Sequence, residues 1–265
     1  MLHSSDHGAI RRIILEQAYR AGVGHIGSAL SVADIIETLY ERVLDLPSLD
    51  APDRDRFILS KGHSSLALYA TLHLRGYLSA EMLRTYCGEG SLLGVHPQHA
   101  LAGIEFTTGS LGHGLSIGAG AAIAARMDGT AHRVFVLISD AECNEGAVWE
   151  AAMFASHHQL ANLVAIVDMN GQQALGYTVD VLGLSPLDER WRAFGWNVQD
   201  VDGHDRDALE ATIGNLDVDA GKPHVLIART IFGKGVSFME GLVKWHYQPM
   251  TSEEFQLALS EVASH

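Results

Sequence analysis

The chain has 265 residues, 47% of them hydrophobic and 19% charged, which is enough to bury a full core as one large α/β domain. Its formal charge of −14 lacks the basic footprint that a nucleic-acid backbone demands, although a small anion held through a metal stays open. Cys87 and Cys143 form neither a disulfide framework nor a zinc spacing, the start MLHSSDHGAIRR has no apolar leader, and no apolar run reaches the roughly 18 residues that span a membrane; a cytoplasmic protein in a reducing compartment is expected.

Ile10, Ile13, Ile14 and Ala18 share one face of a predicted first helix over 8–20, which ends at Gly22-Val23-Gly24. The loop His25-Ile26-Gly27-Ser28 follows, and a lone histidine there is ordinarily a solvated side chain. Ser31-Val32-Ala33-Asp34 has capping-box form and predicts a helix that opens there and runs to about Leu44. After a polar linker over 47–56, residues 57–60 read as a short strand delivering Lys61-Gly62-His63 to a strand-to-helix turn. Leu66, Leu68, Tyr69 and Leu72 belong to the next helix, and Ser79 begins another. From Gly88 to Thr108 no period is visible, and such long irregular stretches are commonly functional. This one carries His96 and closes on Thr107-Thr108-Gly109-Ser110-Leu111-Gly112-His113-Gly114, a glycine-rich turn before a small-residue helix over 115–126. Turns and helix caps use the same residues as ligand loops, so that turn alone decides nothing.

The most informative stretch is 134–173. Residues 134–138 form an apolar, fully buried strand, Ser139-Asp140 follows, 147–158 has helical periodicity, and 163–167 is a second β-branched run ending at Asp168-Met169-Asn170-Gly171. This is one strand-helix-strand unit, and its right-handed crossover sets Asp140 and Asn170 at neighbouring strand tips. A carboxylate and an amide oxygen suit Mg²⁺, or Ca²⁺ or Mn²⁺ in its place, with phosphate oxygens completing the shell. The guest is therefore expected to be a diphosphate, helped by backbone N–H groups at the start of the following helix. The ordinary alternative has Asp140 capping that helix and Asn170 making a left-handed turn before Gly171. Further on, a helix over 186–194, a strand over 197–201, the turn Asp202-Gly203-His204-Asp205, a helix over 207–216 and a strand over 224–230 complete the pattern. About five strands alternate with helices, which predicts a parallel sheet covered on both faces, one domain over 1–265. Thr251 to Glu254 again has capping-box form and predicts a terminal helix.

Asp140 and Asn170, with Asn144-Glu145-Gly146 between, resemble the diphosphate motif of thiamine-diphosphate enzymes. The series His25, His63, His96, Gly109-Ser110-Leu111-Gly112, Asp140, Asn170 resembles the transketolase family from near the first residue to about Lys234, in its short, split form. Ser139-Asp140-Ala141 stands where the family usually has Gly-Asp-Gly, Met169-Asn170 where it often has two asparagines, His113 where many members have glutamine, and Tyr247 where glycine usually follows the histidine.

The resemblance implies a thiamine-diphosphate-binding fold of the diphosphate type, with Asp140, Asn170 and the main-chain carbonyl of Gln172 as metal ligands. It implies cofactor contacts at His63, Gly109, Leu111 and Ala141, and a thiamine and sugar channel lined by His25, His63 and His96, with His246 as a fourth. Glu145 and Glu150 match family glutamates near the dimer contact that relay protons toward a partner's glutamate; ordinary first-turn helix acids have the same look. Residues 240–265 are too few for the pyrimidine-binding domain, so the chain is expected to be the diphosphate-binding subunit of a split transketolase. A separate C-terminal subunit would complete it as an α2β2 assembly. The implied reaction moves a two-carbon ketol unit from a ketose phosphate to an aldose. Three other readings stand beside it: the alpha subunit of a 2-oxo acid dehydrogenase, a deoxyxylulose-phosphate synthase-like enzyme, and a non-catalytic cofactor-binding subunit. The histidine series and the turn from Gly109 to Gly114 favour transketolase over the first, Glu145-Gly146 and the short chain count against the second, and Ser139 and Ala141 motivate the third.

Overall fold

A parallel sheet organises the computed structural model, which describes residues 7–263; residues 1–6, part of the stretch read as lacking a leader, lie outside it. In chain order the strands are β1 (Arg56–Leu59), β2 (Val134–Ser139), β3 (Leu163–Met169), β4 (Gln172–Gln173), β5 (Gly176–Tyr177), β6 (Asn197–Asp202) and β7 (His224–Arg229). Five of them form the main sheet in the order β1-β2-β3-β7-β6, every pair parallel, while β4 and β5 make a separate antiparallel hairpin. The central strands are buried along nearly their whole length, which is why they read as continuous apolar runs.

Side chains alternate across the sheet and feed two cores. On one face Phe135, Leu137, Val164, Ile166 and Leu226 pack beneath α1 (His7–Ala21), α2 (Ile26–Thr38), α3 (Ser65–Leu74) and, after the short α4 (Ala80–Leu83), further helices from later in the chain. On the other face Val134, Val136, Ile138, Ala165 and Ile227 pack beneath α5 (Gly114–Met127) and α6 (Gly146–His157). The chain continues through α7 (Thr178–Leu182), α8 (Leu187–Ala193), α9 (Arg206–Gly214) and α10 (Ser252–Val262). Of these, α8 joins the second core through Leu187 and Trp191, and α9 and α10 join the first through Leu209, Ile213, Ala258 and Val262.

Three local expectations change. The second helix opens at Ile26, not at Ser31, with His25 as its N-cap at φ 62. The capping-box letters serve tertiary bonds instead: Ser31 Oγ donates to Asp168 Oδ1 at 2.7 Å, and Asp34 accepts from Arg11 at 2.6 Å. The helix after Asp140 begins at Gly146, within one residue of where its periodicity starts, and a 3-10 turn, Ala141–Asn144, bridges to it. The β4–β5 hairpin and α7 are additions to the expected pattern, being too short to carry a periodic signal. The terminal capping box is present as read: Glu254 N donates to Thr251 Oγ1 at 3.2 Å, and the Glu254 carboxylate accepts from Thr251 N at 2.8 Å. The aperiodic stretch from Gly88 to Thr108 is tied down by Ser65 Oγ on Val95 O at 2.8 Å and Thr108 Oγ1 on Leu59 O at 2.6 Å, which fixes His96 near the tip of β1.

Candidate active site

The tips of β2 and β3 meet as the crossover rule requires. Ser139 pairs with Asp168, Asp140 N donates to Asp168 O at 3.2 Å, and Gly171 N donates to Asp140 Oδ2 at 3.0 Å. Asp140 also caps the 3-10 turn, with Oδ1 accepting from Ala141 N at 2.9 Å, so the ordinary role holds alongside any other. Thr178 Oγ1 adds a bond to Oδ2 at 3.1 Å. Burial, reinforced by the nearby Asp168 charge, pushes the Asp140 carboxyl up to about 6, against the bonds from Thr178 and Ala141 and the Lys61 charge. Asn170 is not the left-handed residue; Gly171 takes that role at φ 74. The Asn170 amide nitrogen donates to Asp168 Oδ2 at 2.9 Å and Ser31 Oγ at 3.2 Å, which turns its Oδ1 the other way, where it accepts from Gln172 N at 2.9 Å.

These groups fit a hard cation. Each of Asp140 Oδ1 and Asn170 Oδ1 has one protein donor and a lone pair to spare. Thr178 N donates to Gly171 O at 2.9 Å, and Gln172 faces Tyr177 one step along, so alternation in the antiparallel ladder turns the Gln172 carbonyl outward. Among the described residues no cluster of three His, Cys, Asp or Glu could hold a metal. An ion here would rest on one carboxylate, one amide and one carbonyl, the sparse oxygen set that Mg²⁺ accepts when phosphate and water complete its shell.

Beside this edge lies a cleft of about 160 Å³, lined by His25, His63, His96, Gly109, Leu111, Ala141, Asn170, Gln172 and His246 among others. Residues separated by more than 200 positions thus converge on one cleft. The ring centroids of His25, His63 and His246 lie 5.4 to 6.0 Å apart. Burial is the main force lowering all three imidazoles, with the Lys61 charge also acting on each; His63 is held well below its ordinary value and His246 at about 4. They are therefore neutral near pH 7 and offer both a donor and an acceptor nitrogen. Nδ1 of His25 and Nδ1 of His246 are buried without a protein partner, as is Oε1 of Gln172, and such atoms call for a ligand or water. Glu145 and Glu150 stand apart: both are exposed, and neither lines the cleft.

Two buried carboxylates that the sequence reading does not single out support the cleft. Asp168 forms an ion pair with Lys61, both side chains at most 1% exposed, and accepts further from Ser31, Thr230 and Asn170. Glu142 accepts from Ser60 Oγ at 2.5 Å, Gly112 N at 2.8 Å and Ser139 N at 2.9 Å, clamping the glycine-rich turn to the ends of β1 and β2. A charged residue closing an apolar strand, as Asp168 does, is a readable signal because burial demands a partner; which lysine answers it is not. Ser139 and Ala141 have no positive φ, so neither needs to be glycine, and Ser139 Oγ accepts from Glu142 N at 3.1 Å. Cys143 is fully buried packing material, as read. A larger hollow of about 650 Å³ lies around Arg11, Asp34 and His204, but those charges satisfy one another, Arg11 and His204 both bonding Asp34. The smaller cleft, with its unpartnered ring nitrogens, is the better candidate.

The family model for transketolase, thiamine diphosphate binding domain, matches residues 3–263. The chain belongs to the transketolase family. It is 42% identical to one of the named subunits of apulose-4-phosphate transketolase from Phocaeicola vulgatus, over 96% of this chain and 91% of that one. It is 41% identical to the SqwG subunit of 6-deoxy-6-sulfo-D-fructose transketolase from a Clostridium species, over 96% and 93%. Among solved structures, transketolase from Campylobacter jejuni superposes with a TM-score of 0.90 at 30% identity, covering 96% of this chain and 42% of that one. Transketolase from Leishmania mexicana gives 0.90 at 29%, covering 97% and 40%. The chain thus spans about two-fifths of the solved transketolase chains and nearly all of the named subunits. The parallel sheet and its helical layers are the architecture of this family's thiamine-diphosphate-binding domain.

Proposed function

We propose that this chain is the diphosphate-binding subunit of a split transketolase that moves a two-carbon ketol unit from a ketose, typically phosphorylated, to an aldose. The observation that carries the reading is the cluster of neutral imidazoles beside Asn170 at the strand tips, in a chain that is similar to transketolase subunits along nearly its whole length. Those relatives are transketolase subunits, which favours this reading over a 2-oxo acid dehydrogenase or a deoxyxylulose-phosphate synthase.

Asp140, Asn170 and the Gln172 carbonyl hold a divalent cation, Mg²⁺ with Ca²⁺ or Mn²⁺ as substitutes, and through it a diphosphate. Gly109, Leu111, Ala141 and His63 flank the remainder of thiamine diphosphate. When bound, that cofactor supplies the electron sink that lets a carbon–carbon bond beside a ketone break and re-form. Nδ1 of His25 and Nδ1 of His246, unpartnered in the protein, hydrogen-bond donor hydroxyls, and His63 and His96 complete the ring of donors and acceptors. Because burial keeps His25, His63 and His246 neutral, each can accept a proton from a hydroxyl and return it at the same nitrogen.

The pyrimidine domain, and the glutamate that activates the cofactor, come from a partner subunit in an α2β2 assembly, and Glu145 and Glu150 face that contact. The rim supports a covering partner: α7 buries no residue, Val179 is 76% exposed, and the neighbouring Leu175 is 82% exposed. The setting is the cytoplasm; among the described residues no helix is long and apolar enough to cross a membrane. Ketol transfer from a ketose phosphate should be absent with the purified chain and appear when the pyrimidine-domain subunit is added. Full turnover by the chain alone would refute the split-enzyme reading.

A further inference from the structure

We propose that Tyr247 is a specificity-determining residue, a wall on a packed backbone that selects sugars by the carbons lying beyond the transferred two-carbon unit. This rests on the transketolase reading above. Tyr247 lines the cleft together with the histidines, its ring 5.5 Å from that of His25 and 5.8 Å from that of His246. It is 61% exposed, so most of the ring is open to solvent beside the imidazoles, and its hydroxyl bonds no group among the described residues.

The segment that carries the ring is closely packed. Its backbone lies against Gly24 so closely that a Cβ there would sit 2.3 Å from the Tyr247 carbonyl oxygen. His25 N donates to His246 O at 2.9 Å, closing segments 24–25 and 246–247 on each other. Phe232 stacks on His246 at 5.0 Å with planes 5° apart, and it fits because Gly27 leaves room for its ring. Phe232, His246, Tyr247 and His25 therefore form one run of ring contacts, and the backbone that carries the Tyr247 ring is set by packing.

A ketose whose first hydroxyls meet Nδ1 of His25 and of His246 must carry its remaining carbons past this ring. The lining contains one lysine and no arginine, and the ammonium of that lysine, Lys61, is held by Asp168. Among the described residues this wall has no free cation for a terminal phosphate, so it discriminates by shape: an aromatic face for sugar C–H groups, and an obstacle to long donors. The favoured class is compact ketoses.

The test uses the enzyme assembled with its pyrimidine-domain subunit. kcat/KM is measured for five-, six- and seven-carbon ketose phosphates with the parent, Tyr247→Ala and Tyr247→Phe, and cofactor affinity is measured for each. The parent should decline with donor length. Tyr247→Ala should shrink the ratio between the five- and seven-carbon donors at least about tenfold with cofactor affinity unchanged, and Tyr247→Phe should keep the parent order. Equal effects of Tyr247→Ala on every donor, or a loss that follows cofactor affinity, would overturn the proposal. A parent that transfers from none of them overturns the transketolase reading itself.

Discussion

Lys61→Met probes the ion pair beneath the cleft. Lys61 and Asp168 are at most 1% exposed, so removing the ammonium strands a carboxylate away from water. Breaking a buried pair from one side costs about 3–5 kcal/mol. Asp168 keeps bonds from Ser31 Oγ at 2.7 Å, Asn170 at 2.9 Å and Thr230, so the low end, about 3 kcal/mol, is expected. Against a typical stability of about 5–15 kcal/mol, the variant should fold but unfold in clearly less urea. Lys61→Met/Asp168→Asn, which leaves no buried charge at the pair, should recover part of the loss. His25, His63 and His246, all pushed down partly by Lys61, should titrate at higher pH in the single variant, as read by NMR. A single variant within about 1 kcal/mol of the parent would refute the reasoning.

Asp140→Ala should abolish Mg²⁺-dependent binding of thiamine diphosphate in calorimetry while circular dichroism stays native; parent-like binding would remove Asp140 from the ligand set. His25→Ala and His246→Ala should lower turnover while cofactor affinity stays within about tenfold, or about 1.4 kcal/mol; normal turnover at saturating cofactor would reassign them. Because the folded pKa of His246 is near 4 and its unfolded value about 6.5, the unfolded chain protonates first as pH falls, and stability is lost between those values. The slope of urea midpoint against pH in that window should be shallower in His246→Gln, and an unchanged slope contradicts the burial argument. Glu142→Ala leaves Gly112 N and Ser139 N unpaired and should cost about 1–3 kcal/mol. Glu142→Gln should also destabilise, since its amide sets a donor against a donor, and a neutral thermal shift for both would show that the clamp is dispensable.

The apolar runs of β2 and β3 and the helix between them already implied a parallel sheet, since strand period, burial and crossover handedness are local or general properties. Handedness alone brought Asp140 to Asn170, and the bond from Gly171 N to Asp140 shows the approach. Residue order made the histidine series legible as a family likeness, but not its geometry: that His25 and His246 share a wall depends on Gly24 and Gly27 admitting Tyr247 and Phe232, a contact across more than 200 positions. The capping-box reading at Ser31 failed for the same reason. Ser and Asp at that spacing satisfy a helix end or a distant partner equally well, and here Asp168 and Arg11 claim them. A chain determines which segments are strand or helix through periodic burial; which buried charge pairs with which, as Lys61 with Asp168 and Glu142 with the glycine-rich turn, is decided only when the packed layers leave each charge a single partner within reach.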